Sequence, residues 1–349
     1  MTKLELNKTE LLFAQKLASG ETRIRQRALN RLRKWISTRV EKEFFFSADD
    51  LLKLWKGLYF CVWMQDKPLL QEELVDSICG LLALFEPVDQ KLLFMETFLQ
   101  TIGREWPELD RWRVDKFYMF FRRFVRAWLS ILQVNGWQSG LIERTLAQWT
   151  NYMLSASPGY PDALKFHFAS VYLDELDLAG KGLDKLKVIE MLRPFLDLLS
   201  NPDTSDQLFE EVRKEIFETV LIQFSQQLSC RMEADSSPTE VSDDGIQLDY
   251  SLLSKLLFRI GKSPAVNNWR RQKIYALVKK FDAAYNDIDP FEDNMSDAGS
   301  DLGKEEINSA VVRLLNADEQ LKAAEHRQRK RKKSSAKSQK LRKRCKKSP

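Results

Sequence analysis

Apolar positions recur at three- and four-residue spacing through most of the 349-residue chain, in segments of about 15–22 residues separated by short breaks that carry caps or prolines. This spacing predicts helices, and strands have no obvious place to sit. A first helix is expected over 9–18, stopping at Ser19-Gly20, where glycine suits the left-handed position after a helix. A second covers 21–40, with Ile24, Ala28, Leu32 and Trp35/Ile36 on one face. Ser47 reads as the N-cap of a third, with Asp49 and Asp50 in its first turn, where the helix dipole favours anions. Asp66-Lys67-Pro68 opens a fourth, proline being tolerated where its missing N–H is not needed, with Leu70, Leu74, Ile78 and Leu81 facing inward. Further helices are expected at 88–103, 109–134, 137–154, 161–178, 183–200 and 203–229.

Antiparallel helix pairs joined by short turns, at a period of about 40 residues, are the pattern of an all-α, HEAT/armadillo-like helical-repeat domain. A compact irregular bundle is the alternative, because no crisp sequence repeat is visible. Residues 1–230 form the expected repeat domain. Residues 231–246, with MEADSSPTEVSDDG, read as an acidic linker without an apolar face. A C-terminal helical pair at 247–285 is expected to pack on or near the core. A second acidic linker spans 286–303, and at 304–349 a helix runs into a disordered basic tail.

Composition supports this picture, with 44% apolar residues and only 13 glycines and 11 prolines. The net charge of +5 hides a polarity: 13 of the 55 basic residues lie between His326 and Pro349, where no acid occurs, so the rest carries 42 bases against 50 acids. A basic arm on an acidic body is an electrostatic handle for nucleic acid or an acidic partner. Cys61, Cys79, Cys230 and Cys345 stand far apart, without a CxxC pair or a neighbouring histidine, which argues against structural zinc or a disulfide framework. No signal-peptide pattern opens the chain and no stretch approaches 18 uncharged apolar residues. These features predict a soluble, intracellular, reduced protein with no membrane partner.

Catalytic chemistry finds little support. The two histidines, His167 and His326, form no Ser/His/Asp or Cys/His constellation. His167 sits in an apolar helix and reads as a packed or capping residue. Neither GxxxxGK[ST] nor GxGxxG occurs, and Ala179-Gly180-Lys181-Gly182 follows a helix, so it reads as a helix end. The carboxylate pairs Asp174/Glu175 and Glu210/Glu211 read as solvated helix faces. The expectation is no enzyme, no metal and no cofactor.

Three basic groups stand out. Arg23, Arg27, Arg31 and Lys34 fall on one helical stripe with no interleaved acid, although like charges four apart oppose helix formation. Such a stripe points to an external anion such as phosphate, to acids on a neighbouring helix, or to a solvated face. In the block 105–126, Val114, Tyr118, Phe121, Val125 and Trp128 are expected to form a buried stripe, while Lys116, Arg123 and Arg126 gather on another side. Aromatics interleaved with arginine stack on unpaired bases in RNA-binding surfaces, yet rings at this spacing more often form a core. Arg122, Arg123 and Arg126 join the first stripe as candidates for contact with RNA or an acidic partner. In the tail, Arg329, Lys330, Arg331, Lys332 and Lys333, then Arg342, Lys343 and Arg344, form two clusters of the kind that nuclear import receptors read.

Four blocks carry a family resemblance. They are Phe13-Ala14-Gln15-Lys16-Leu17-Ala18 with the arginine-rich helix after it, the run from Leu54-Trp55-Lys56-Gly57-Leu58 to Asp66-Lys67-Pro68, the 105–123 block, and Gly159-Tyr160-Pro161-Asp162-Ala163-Leu164-Lys165-Phe166-His167 leading to Val171-Tyr172-Leu173-Asp174-Glu175-Leu176. In this order, over residues 10–230, the chain resembles the eukaryotic ribosomal RNA processing protein one family. The resemblance implies a nucleolar helical-repeat protein of large-subunit ribosome assembly. It implies precursor ribosomal RNA and other preribosome assembly proteins as partners, and it implies no catalytic residues. Two rival readings are a nuclear solenoid adaptor for transport or chromatin and a ribonuclease using carboxylate-bound magnesium.

Overall fold

The structure, a computed structural model, describes residues 3–234 and 246–292, with side chains for 9–231 and 246–292. Among these residues every regular element is helical. The helices are α1 (Lys3–Leu17), α2 (Thr22–Glu41), α3 (Ala48–Trp63), α4 (Pro68–Cys79), α5 (Val88–Glu105), α6 (Val114–Val134) and α7 (Ser139–Asn151). They continue as α8 (Asp162–Ala179), α9 (Lys185–Ser200), α10 (Asp206–Val212), α11 (Thr219–Ala234), α12 (Tyr250–Gly261) and α13 (Asn268–Tyr285). The expected helix near 304–327 and both basic tail clusters, Arg329 to Lys333 and Arg342 to Arg344, lie outside the described residues.

Local chemistry sets the helix starts. Ser47 and Asp50 form a reciprocal capping box at α3, and Asp184, Ser205, Asp249 and Asn267 each cap the helix that follows with a side-chain oxygen. Several expected starts move, α1 to Lys3, α9 to Lys185 and α10 to Asp206 among them, and two have a clear local cause. The α6 helix begins at Val114 rather than 109, because Trp106-Pro107-Glu108 makes a tight turn and the Asp110 carboxylate accepts from the backbone N–H groups of Trp112 and Arg113. The α7 helix begins at Ser139 rather than 137, because Gly136 and Trp137 both adopt positive φ, 66° and 54°. The expected helix over 203–229 is interrupted by a π-helical turn at Arg213–Glu218, where the buried Arg213 pairs with Glu210 and Glu218.

Helices two apart in the chain lie side by side. α1 packs on α3 and α3 on α5, while α4 packs on α6, α6 on α8 and α8 on α10. Further along, α7 packs on α9, α9 on α12 and α11 on α13. This alternation of two layers is the packing of a helical-repeat stack. Its apolar centre is continuous from Leu17 to Ala284. The Trp55 ring of α3 marks the most aromatic point, lying 4.4 Å from Phe94, 4.9 Å from Phe98 and 5.6 Å from Phe124.

The buried faces differ from the expectation in three helices. In α2, Ala28, Leu32 and Ile36 are buried but Ile24 is exposed, and Arg25 and Arg39 are buried instead. In α4, Leu70 is exposed and Val75 is buried. In α6 the buried face is Phe117, Phe120, Phe121, Phe124, Val125 and Trp128, whereas Val114 and Tyr118 lie at its edge. Lys116 is buried rather than on an outer face. Its ammonium donates to the carbonyls of Trp63 (2.7 Å) and Gln65 (2.9 Å), meeting acceptors that the end of α3 leaves open.

Candidate functional site

The first two groups of candidate cations have opposite fates. Arg122, Arg123 and Arg126 project from α6 between α4 and α8, and each meets acids of this chain. Arg123 bonds Glu72 (2.7 Å) and Asp76 of α4. Arg122 bonds Asp174 (3.1 Å) and Glu175 of α8, and Arg126 grips both oxygens of Glu175 at 2.6 and 2.9 Å. Glu175 is therefore not on a solvated face: its side chain is 0% exposed beneath the two guanidinium forks, while Asp174 stays exposed.

Burial alone would raise the pKa of Glu175, but hydrogen bonds from Arg126 and Arg122 outweigh it and hold the carboxyl below its ordinary value. A carboxyl whose folded pKa is depressed contributes stability above its unfolded pKa, and that share is lost as pH falls through the folded value. Glu175→Gln should lower unfolding free energy by roughly 2 kcal/mol, a figure moderated by the exposure of the two arginines. In urea titrations the deficit should be full at pH 7 and shrink below the carboxylate range. A deficit that did not change with pH would contradict this assignment.

Arg23, Arg27, Arg31 and Lys34 behave differently. All four are exposed on one side of α2, and none has an ion-pair partner among the described residues. Arg25, two residues from Arg23 and from Arg27 and so on the opposite face of the helix, turns inward instead. It donates to the carbonyls of Ser19 and Gly20 at 2.9 Å and to Gln65 Oε1 at 3.1 Å, tying the start of α2 to the end of α3. Arg39 likewise turns inward to Glu10 of α1 at 2.9 Å. Arg33 donates to the Ser77 carbonyl of α4 at 3.0 Å, so three arginines of the helix lock the fold while the stripe faces out.

The residues weighed for chemistry take structural places. His167 Nε2 lies 3.0 Å from the Tyr118 carbonyl, with the Tyr118 ring 4.4 Å away, and burial lowers its pKa. Gly180 ends α8. Cys61 and Cys79 are buried, Cys230 is exposed, and Cys345 lies outside the described residues; burial pushes the Cys61 thiol up to about 11. No group of three or more metal-ligating side chains gathers among the described residues, and no helix among them is long and apolar enough to cross a membrane.

With this geometry in hand, comparison with known proteins is informative. The family described as "Nucleolar protein, Nop52" matches residues 8–278, which takes in every described helix except the ends of α1 and α13. The chain belongs to the Nop52 nucleolar protein family. A relative from Caenorhabditis elegans, named ribosomal RNA processing protein 1 homolog, is 43% identical over 287 residues, covering 82% of this chain and 71% of its own. The human ribosomal RNA processing protein 1 homolog A is 31% identical over 323 residues, covering 78% and 70%. A Dictyostelium discoideum relative of the same name as the first is 26% identical over 320 residues, covering 83% and 62%. The resemblance seen in the four sequence blocks is thus confirmed, and all four blocks lie inside the span matched by the Nop52 family.

Sequence reasoning missed one feature of this surface. Beside the stripe, Leu11, Leu12 and Ile24 are exposed apolar residues. The consecutive Leu11-Leu12-Phe13 was the available signal, since three adjacent apolar residues exceed what one buried helix face takes up.

Proposed function

We propose that the chain is a non-catalytic assembly factor of the nucleolus, needed for processing of precursor ribosomal RNA in large-subunit maturation, and that it works as a helical scaffold for RNA and other preribosome assembly proteins. Family membership supports the role in ribosomal RNA processing, and the sequence blocks support the large-subunit branch. The basic tail, with Arg329 to Lys333 and Arg342 to Arg344, serves as the signal that import receptors read.

The observation that carries the scaffold reading is the α2 stripe. Arg23, Arg27, Arg31 and Lys34 present four cations with no acid of the described chain to neutralise them, while like-charge repulsion along the helix costs a few tenths of a kcal/mol per pair. An external polyanion in the precursor particle removes that cost. Arg122, Arg123 and Arg126, already engaged with acids, are assigned to holding α4, α6 and α8 together.

Reversing Arg23, Arg27 and Arg31 to glutamate should reduce co-sedimentation with precursor large-subunit particles by about tenfold or more, while circular dichroism and thermal unfolding stay near those of the parent. The residual association should depend less steeply on salt, because fewer cation–anion contacts remain to be screened. Unchanged co-sedimentation of the folded variant would remove the stripe from the function.

A further inference from the structure

α1 and α2 run antiparallel and leave between them an open groove of about 380 Å³. Its floor is apolar, made by Leu12, Phe13 and Ile24, and its rim is cationic, made by Lys16, Arg27 and Arg31. No acid occurs among the described residues that line it. Leu12 is 49% exposed and Ile24 36% exposed, with Leu11 at 52% beside them. Elsewhere in the stack the outer face of a helix is covered by the helix two further on, as α5 covers α3 and α8 covers α6. α3 packs on α1 in this way too, yet Leu11, Leu12 and Ile24 stay exposed, so the side on which the groove opens has no covering helix among the described residues. Terminal repeats of helical stacks ordinarily present a polar outer face.

Two features of the groove need explaining together, the wet leucine and isoleucine and the cations that meet no acid among the described residues. A nucleic-acid backbone would neutralise Lys16, Arg27 and Arg31 but leave Leu12 and Ile24 in water. A helix with apolar residues at i, i+3 or i+4, and i+7, flanked by aspartate or glutamate, satisfies both. Each wall of the groove spans eight residues, from Thr9 to Lys16 and from Ile24 to Arg31, or about 10 Å of helix axis, which suits two turns of a docked helix.

Resting on the scaffold reading above, we propose that the α1–α2 groove binds an acidic amphipathic helix of another assembly protein, which adds itself to the stack as the next element. Leu12 and Ile24 take the apolar anchors of that helix. Lys16, Arg27 and Arg31 meet its flanking carboxylates and fix its register.

The test uses the full chain and three labelled probes: a 20-residue acidic peptide with leucines at helical spacing, its sequence-scrambled isomer of equal charge, and a 20-nucleotide oligouridylate. Fluorescence anisotropy should show the patterned peptide binding about tenfold tighter than its isomer. Leu12→Ser with Ile24→Ser, at positions exposed enough to leave the fold intact, should weaken the patterned peptide about tenfold and leave oligouridylate unchanged. Equal binding of the two peptides, or insensitivity of the patterned one to the double substitution, overturns the proposal.

In precursor particles, a photo-crosslinking residue placed at Leu11 should capture a peptide rich in aspartate, glutamate and spaced apolar residues. Capture of RNA, or of a segment without acids, overturns the proposal as well. Failure of the scaffold reading looks different: there the charge reversal of Arg23, Arg27 and Arg31 leaves particle association intact. If that reversal lowers association but the Leu12/Ile24 pair changes nothing, only the amphipathic helix is lost, and the stripe is a phosphate contact.

Discussion

Trp55→Ala should lower the free energy of unfolding by about 3–5 kcal/mol, the range for truncating a fully buried aromatic residue whose surroundings cannot collapse into the void. Trp55 is 1% exposed and its ring is contacted from two other helices, by Phe94 and Phe98 of α5 and by Phe120 and Phe124 of α6. Most of the loss comes from that packing and the cavity. The indole N–H donates to the Phe94 carbonyl at 2.9 Å, but that carbonyl lies inside α5, where the helix ladder supplies a backbone donor four residues on, so it is not orphaned. Trp55→Phe, which keeps a ring and drops the donor, should therefore cost well under half as much. Guanidinium titrations of parent and variants decide it. A loss below about 1 kcal/mol for the alanine variant would mean that α3, α5 and α6 do not share one core.

What the sequence could reveal follows from how far apart the deciding residues lie. Helix starts were legible because caps act over three residues: Ser47 with Asp50 and Pro68 at the first turn of α4 are local facts. The α6 start was not, because it depends on the Asp110 side chain folding back on Trp112 and Arg113 instead of joining the helix. The buried face of α6 was misplaced by about one position. In a helix with Phe117, Tyr118, Phe120, Phe121 and Phe124, nearly every direction is apolar, and only its neighbours α3, α5 and α8 select which rings go inside.

Buried cations were the least legible feature. Arg25, Arg39 and Lys116 look like any other charge in a chain that is 30% charged. Their acceptors lie far off in sequence, Gln65 for Arg25 and Trp63 for Lys116, and the buried Glu175 likewise accepts from the distant Arg122 and Arg126. The outward stripe of α2 was readable from its period. That Arg27 and Arg31 also rim an apolar groove was not, since the groove exists only once α1 lies against α2.

Arg39→Met should be comparably severe, about 3–5 kcal/mol, because it strands a charge in the interior. Arg39 is the joint between α1, the end of α2 and the segment that leads into α3. Its guanidinium bonds Glu10 Oε1 at 2.9 Å and the Phe45 carbonyl at 3.0 Å, and it lies 4.1 Å over the Phe46 ring and 5.0 Å over that of Trp35. Methionine keeps the length and apolar volume of the stem, so the loss reports the head group rather than a cavity.

Glu10 is 0% exposed, and burial, stronger than the pull of Arg39, raises its pKa above the ordinary value. A carboxyl with a raised folded pKa binds its proton more tightly in the folded state, so its ionisation lowers stability as pH rises through that window. Removing Arg39 takes away the opposing charge and raises Glu10 further. The Arg39→Met deficit should then be largest near pH 7 and shrink as pH falls through the raised Glu10 value. Glu10→Gln in the Arg39→Met background should recover roughly 2 kcal/mol at pH 7. Because this pair fixes α1 against α2, the single variant should also lose binding of the patterned acidic peptide in parallel with its stability, and the double variant should regain both. An Arg39→Met deficit that the glutamine does not reduce would place the cost in the lost Phe45 carbonyl bond and the ring contacts, and not in a stranded carboxylate.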